Sequence, residues 1–365
     1  MRTPLLALLP FLLLLTGCAS PGPELMHVAS FQSAQITGVA VTDEGRIFVN
    51  SPRWHAGHTN SVREIRFNGA PRAYPSAFVN GWTEDVGDPK RQWVCVQSVH
   101  VDAKNRLWVL DPGAPELGDL VPGAPKLVEI DTSTNQMVRS FLFNERLAPN
   151  GSYLNDVRID TRDDFAFITD SGLGAIIVID LDSGRASRLL DNDPSTKAQP
   201  GFIAEIQGVP FGLTVHADGI ALVEEPTSSV EGVHDGWVYW QALSSRTLYR
   251  APMSQLKSNP PNATRIAESV ERLGTTVMTD GMEADAVGNV YFSALEQDAI
   301  VRRTPEGELE TVVSDPRLAW PDSFAWGPNG ELYVTTSRIH QSAWFNGTDA
   351  NQGPFEVLVV GGVRP

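Results

Sequence analysis

Six polar residues stand at matching positions in a repeated segment of this chain: Thr37, Gln97, Asn155, Asp218, Asp280 and Asp322. Each comes just before a short apolar stretch, and the next column reads Gly38, Ser98, Asp156, Gly219, Gly281 and Ser323. Gathered around one axis, three carboxylates repel one another unless something positive sits between them, and an oxygen-only donor set suits a hard divalent cation such as Ca2+. Asn155, Asp218 and Asp280 are therefore candidate metal ligands. Gln97, Asp280 and Asp322 are candidates for contact with a bound small molecule. The same residue types also cap strand ends through backbone N–H groups, and the two roles can divide among the six.

The element that must position these residues is a hairpin. In WPDSFAWGPNGELYVTTS (320–337) a small polar pair, Asp322 and Ser323, leads into an apolar strand, a Pro328-Asn329-Gly330 turn and a returning strand. Proline fixes φ, and asparagine and glycine tolerate positive φ, so the chain reverses there. Variants occupy 36–50, 97–111, 155–170, 218–243 and 280–294. Turns spaced roughly 40–75 residues apart signal propeller blades. The expected fold is an all-β, six-bladed propeller whose first strands line a central channel and bring the polar column to one mouth. His27–Gln32 and Phe355–Val360 are strand-like without a hairpin partner of their own, and their pairing would close the ring and remove a free sheet edge.

Starts of first strands and ends of second strands share one face of such a blade, because the two run antiparallel. Long segments follow the second strands at Ser51–Ser61, Pro112–Pro125 and Ser337–Pro354, so the elaborated face is the polar one. On it Asp111 and Asp170 are candidate ligand contacts, His340 a candidate base, Arg338 a candidate partner for an oxyanion, and Asp218 a third catalytic candidate. His55 and His58 are read as loop residues. The 191–215 and 224–235 insertions are read as loops without assigned work.

The chain has 365 residues, 42% of them hydrophobic, and a formal charge of −16. That balance argues against a nucleic acid or an anionic membrane surface as partner. Phosphate loops, zinc helices of the His-Glu-x-x-His kind and Gly-x-Ser-x-Gly elbows are absent from the sequence. Arg2, the apolar run Leu5–Leu15 and Thr16-Gly17-Cys18 read as a lipoprotein leader, with Leu15–Cys18 resembling a bacterial lipobox. The expected organisation is a leader at 1–17, a tether at 18–26 lipidated on Cys18, and one propeller domain at 27–365. This implies a monomer held at the bacterial cell envelope by that lipid, or a secreted protein if the leader is an ordinary signal. Cys95, in an apolar strand-like setting, is expected to be a buried small hydrophobe.

Further stretches carry a resemblance. Asn50–Trp54, Arg106–Gly113, Tyr153–Val157, Thr169–Gly172, Asp218–Leu222, Ala242–Ser245, Leu248–Arg250, Asp280–Met282, Leu295–Ile300 and Trp320–Ala325 resemble the yellow / major royal jelly protein family, in order through all six blades. The resemblance implies a six-bladed propeller with a ligand-accepting cavity; some relatives convert dopachrome and others bind biogenic amines. The fold is also similar to gluconolactonase-type propellers, whose cation is held by an Asn and acidic residues, and Asn155 and Asp218 match that arrangement by blade. Thr37 stands where a first-blade Glu ligand would be expected. Two functions follow as expectations: metal-assisted lactone hydrolysis or tautomerisation of a small substrate, or binding of an amine or other polar ligand without chemistry. An interaction platform at the envelope is a third.

Overall fold

The computed structural model describes residues 23–363 except 56, 67–69, 225–234 and 348–352. Cys18 and the 1–17 leader lie outside the described residues, as does most of the 224–235 insertion. Six four-stranded antiparallel sheets form the blades of a β-propeller. Their inner strands are Val39–Val41, Ser98–Val101, Leu154–Asp160, Ala217–Glu224, Thr279–Ala284 and Pro321–Trp326, and each touches the next around a closed ring.

The sixth blade is built from both ends of the chain. Glu24–Phe31 pairs antiparallel with Phe355–Gly361, which pairs with Leu332–Thr336. The expected closure is thus present, with its first strand starting at Glu24, inside the stretch expected to be tether. Between blades the packing is aromatic and aliphatic. Trp108 shares one buried cluster with Leu154 and Ile168, Phe167 another with Trp240, and Tyr291 a third with Phe324. A fully buried side chain such as Phe167 contributes about 1.5–3 kcal/mol, which ties each blade to its neighbour.

Four of the inner strands carry an irregularity at the same place. Pairing slips between Leu154 and Val157, Ala217 and Ile220, Thr279 and Met282, and Pro321 and Phe324. Such β-bulges turn the enclosed residues out of the regular alternation. The enclosed pairs are Asn155-Asp156, Asp218-Gly219, Asp280-Gly281 and Asp322-Ser323, so the bulges aim the polar column into the channel mouth. The amide freed by the bulge is capped by a hydroxyl of the second strand: Asp156 N by Thr169, Asp280 N by Ser293 and Ser323 N by Thr335, each at 3.1 Å. Glycine follows the aspartate in blades 4 and 5 because the strands crowd there. A Cβ on Gly219 would lie 2.3 Å from the Asp280 carbonyl oxygen, and one on Gly281 2.1 Å from that of Asp322.

Candidate functional site

A cavity of about 410 Å3 opens at the channel mouth that bears the polar column. Its floor carries Gln97, Asn155, Asp218, Asp280 and Ser171, and its walls include Trp54, Tyr153, Phe211, Trp320 and Trp344. All three elaborated loops reach it, through Trp54, Leu117 and Ile339 with Trp344. The 191–215 insertion supplies another wall: its hairpin, Ala204–Ile206 with Val209–Phe211, sets Phe211 facing the Trp320 ring, and Leu213 to Val215 follow it.

Three carboxyls of the column are almost inaccessible to water. Asp218 is pushed well above the usual carboxylate range by burial first, then by the neighbouring charges of Asp280, Asp156 and Asp322. Burial raises Asp280 to about 7, against the hydrogen bond from Trp320. Asp322 is likewise raised well above its ordinary value, mainly by burial and Asp280. Asp218 Oδ1 and Asp322 Oδ2 have no hydrogen-bond partner among the described residues. Below the floor Arg158 crosses the channel: its guanidinium bonds the Met282 carbonyl of blade 5 and lies 3.5 Å from Glu283. Asp156, held by the Ser98 hydroxyl at 3.1 Å, lies within its electrostatic reach.

The cavity walls are held by a hydrogen-bonded frame. Trp54 Nε1 donates to the Tyr153 hydroxyl at 2.8 Å, and that hydroxyl donates to Gln97 Oε1 at 2.9 Å. Gln97 Nε2 donates to Asn155 Oδ1 at 3.1 Å, and Asn155 Nδ2 donates to Ser171 Oγ at 3.1 Å. Trp320 adopts a left-handed backbone conformation, φ 56°, uncommon for so large a side chain. Its carbonyl accepts from Ser337 N at 3.1 Å, and its ring stacks parallel on His340 with centroids 5.9 Å apart.

Four sequence candidates do other work here. Asp111 is fully buried, accepts from Val94 N, Cys95 N and Gly113 N, and pairs with Lys126 Nζ at 2.8 Å. Asp170 in the next blade accepts from Tyr153 N and Ser152 Oγ and pairs with Arg188 at 2.7 Å. Neither carboxylate lines the cavity. Each pins the chain that enters its own blade, because the end of the second strand faces the preceding crossover. His340 sits behind Trp320, 3.1 Å from Gln207 Oε1, and burial lowers it to about 4, so it stands neutral as a stacking partner instead of reaching the mouth. Arg338 Nε donates to the Pro354 carbonyl at 3.0 Å and anchors the approach to the C-terminal strand. Asp322 belongs to the acid cluster but lies beneath the cavity lining.

The expected metal set fits poorly. Among the described residues no group of three or more His, Cys, Asp or Glu is placed to hold a metal ion. Thr37 is committed to the Gln97 carbonyl and to Asn50, and the Asn155 oxygen is committed to Gln97. Asp218 and Asp280 remain. Cys95 is fully buried, with burial pushing its thiol up to about 12, which makes it inert packing as its sequence context predicts. Sequence reasoning missed Arg158, Ser171 and Phe211 as site residues; the first two occupy ordinary strand and turn positions, and the third lies in an insertion with no repeat to align it.

The closed ring, its mouth cavity and its bulged inner strands define a six-bladed β-propeller with a candidate site at one end of its channel. The major royal jelly protein family model matches residues 94–358, and the chain belongs to that family. No functionally curated protein matches the sequence. In structure the chain is similar to a luciferin-regenerating enzyme, at 14% identity and TM-score 0.54, covering 94% of this chain and 97% of that one. It is similar to the calcium-binding protein regucalcin from Agrobacterium tumefaciens, at 14% and 0.53, covering 92% and 94%. A gluconolactonase from Xanthomonas campestris matches at 13% and 0.51, covering 93% and 89%. At such identities the likeness is one of fold.

Proposed function

We propose that the protein is an acid–base catalyst for a small aromatic carbonyl compound, acting as a tautomerase in the mouth cavity. The observation that supports this reading is the pair Asp218 and Asp280, buried carboxyls side by side on a polar floor under aromatic walls. A carboxyl near pH 7 is half ionised under neutral conditions, so Asp280 can take a proton from the carbon next to a carbonyl. Asp218, also raised by burial and by its carboxylate neighbours, is the acid of the pair and delivers a proton to the carbonyl oxygen. The substrate leaves as its enol isomer, and the two carboxyls exchange protons with solvent to reset.

The test is a screen of phenolic and indolic carbonyl compounds followed by spectrophotometric turnover, with Asp280→Asn alongside wild type. Turnover that survives chelation and drops at least a hundredfold in Asp280→Asn supports the reading. Saturable binding without turnover replaces it with a carrier of small polar ligands.

A second reading rests on Asp218 Oδ1, buried and without a partner among the described residues. A divalent cation between Asp218 and Asp280 would take the place of their protons, and polarise a lactone or keto oxygen when bound. Activity abolished by chelation and restored by CaCl2 favours that one. We further propose, from Leu15 to Cys18, that lipid on Cys18 holds the propeller at the cell envelope; release of a Cys18→Ala form into the soluble fraction would support it.

A further inference from the structure

We infer that Asn155 is fixed with its carbonyl toward Gln97 and its NH2 toward Ser171, a positioning residue of the cavity frame and not a cation ligand. The argument follows donor and acceptor roles along a chain whose two ends allow only one role each. An indole N–H donates and cannot accept, so the Tyr153 oxygen accepts from Trp54 Nε1 at 2.8 Å and its own proton must go elsewhere. Gln97 takes it at 2.9 Å. The atom of Gln97 facing Tyr153 is therefore its oxygen, and its NH2 faces Asn155 at 3.1 Å. Asn155 must answer with its carbonyl. Its NH2 is left pointing the other way, to Ser171 Oγ at 3.1 Å.

The far end closes the logic. Ser171 donates its hydroxyl proton to the Tyr153 carbonyl at 3.3 Å, an atom that only accepts, so Ser171 Oγ receives from Asn155. Reversing both amides would require the Tyr153 proton to move to the Cys95 sulfur, its other near neighbour and a weak acceptor. It would also take the Ser171 proton from a carbonyl. Gln97, Asn155 and Ser171 are each at most 7% exposed, so water offers little relief for a wrongly turned amide. The consequence for the floor is chemical: Asn155 gives its oxygen to Gln97 and its N–H groups to Ser171, and presents no oxygen to a cation. This holds whether or not Asp218 and Asp280 carry out proton transfer.

Neutron diffraction from crystals of the perdeuterated protein reads the orientation directly. Two deuterons on the Asn155 atom facing Ser171 are expected; deuterons facing Gln97 would overturn the inference. Calorimetric titration with CaCl2 supplies an independent arm. Asn155→Ala is expected to change calcium affinity by less than twofold, or neither form to take up calcium, whereas a tenfold or greater loss in the variant would mark Asn155 as a ligand. Failure of the tautomerase reading would appear as absent turnover and leave both results untouched.

Discussion

The indole Nε1 of Trp320 donates to Oδ2 of Asp280 at 2.6 Å, so the ring that walls the cavity also governs one carboxyl of its floor. Donation to a carboxylate favours the charged form, and loss of the donor lets burial act unopposed. In Trp320→Phe the Asp280 carboxyl is expected to titrate higher than its value of about 7, by about one unit on the scale of a charge-assisted hydrogen bond. Carboxyl 13C shifts followed against pH would read this; an unchanged midpoint would show that the contact does not act on Asp280.

The raised carboxyls give stability an unusual pH dependence. An unfolded aspartate titrates near 3.8, whereas Asp280 folded titrates near 7, so between these values the folded state holds the extra proton. Stability from this group is present below pH 4 and is lost as pH rises to 7, on the order of 4 kcal/mol for a three-unit gap. Melting temperature in chelator is expected to fall between pH 5 and pH 8, and Asp280→Asn to flatten part of that fall. A melting temperature that rises over the window would remove the premise.

His340 offers a direct contrast between packing and catalysis. As a neutral ring stacked on Trp320 it should be replaceable by another flat ring, but not by a small residue. His340→Phe is expected to keep ligand affinity within threefold, and His340→Ala to weaken it tenfold or more by freeing Trp320. Loss of turnover in His340→Phe with binding retained would instead restore the histidine as a base.

The Lys126–Asp111 pair is inaccessible at both ends, and removing Lys126 leaves a buried carboxylate without the cation it bonds. Lys126→Met is expected to lower unfolding free energy by about 3–5 kcal/mol, read as a lower denaturant midpoint. A change below 1 kcal/mol would mean that the backbone amides around Asp111 suffice to hold it.

Much of this was legible in the chain because the repeat is local. Polar pair, strand, turn and return strand sit within 18 residues in the last copy, and ring closure follows from two strand-like ends. The column of Asn155, Asp218, Asp280 and Asp322 was readable for the same reason, since the bulges recur with the repeat. What could not be read were contacts between loops of different blades. Nothing near Asp111 announces that a lysine 15 residues away will bond it, and the stacking of His340 on Trp320 depends on how the last loop folds back. Similar residue types at strand ends thus split by partner into floor and scaffold. Arg158, in a strand interior, gave no sign that it would reach past blade 4.

That arginine works as a cross-tie. Rooted in blade 3 and lodged against blade 5, its guanidinium links two blades that are not neighbours in the ring and braces the acid floor from below. The stiffness of the floor beneath Asp218 and Asp280 thus comes from a single side chain reaching across the axis, not from the blade that carries either carboxyl.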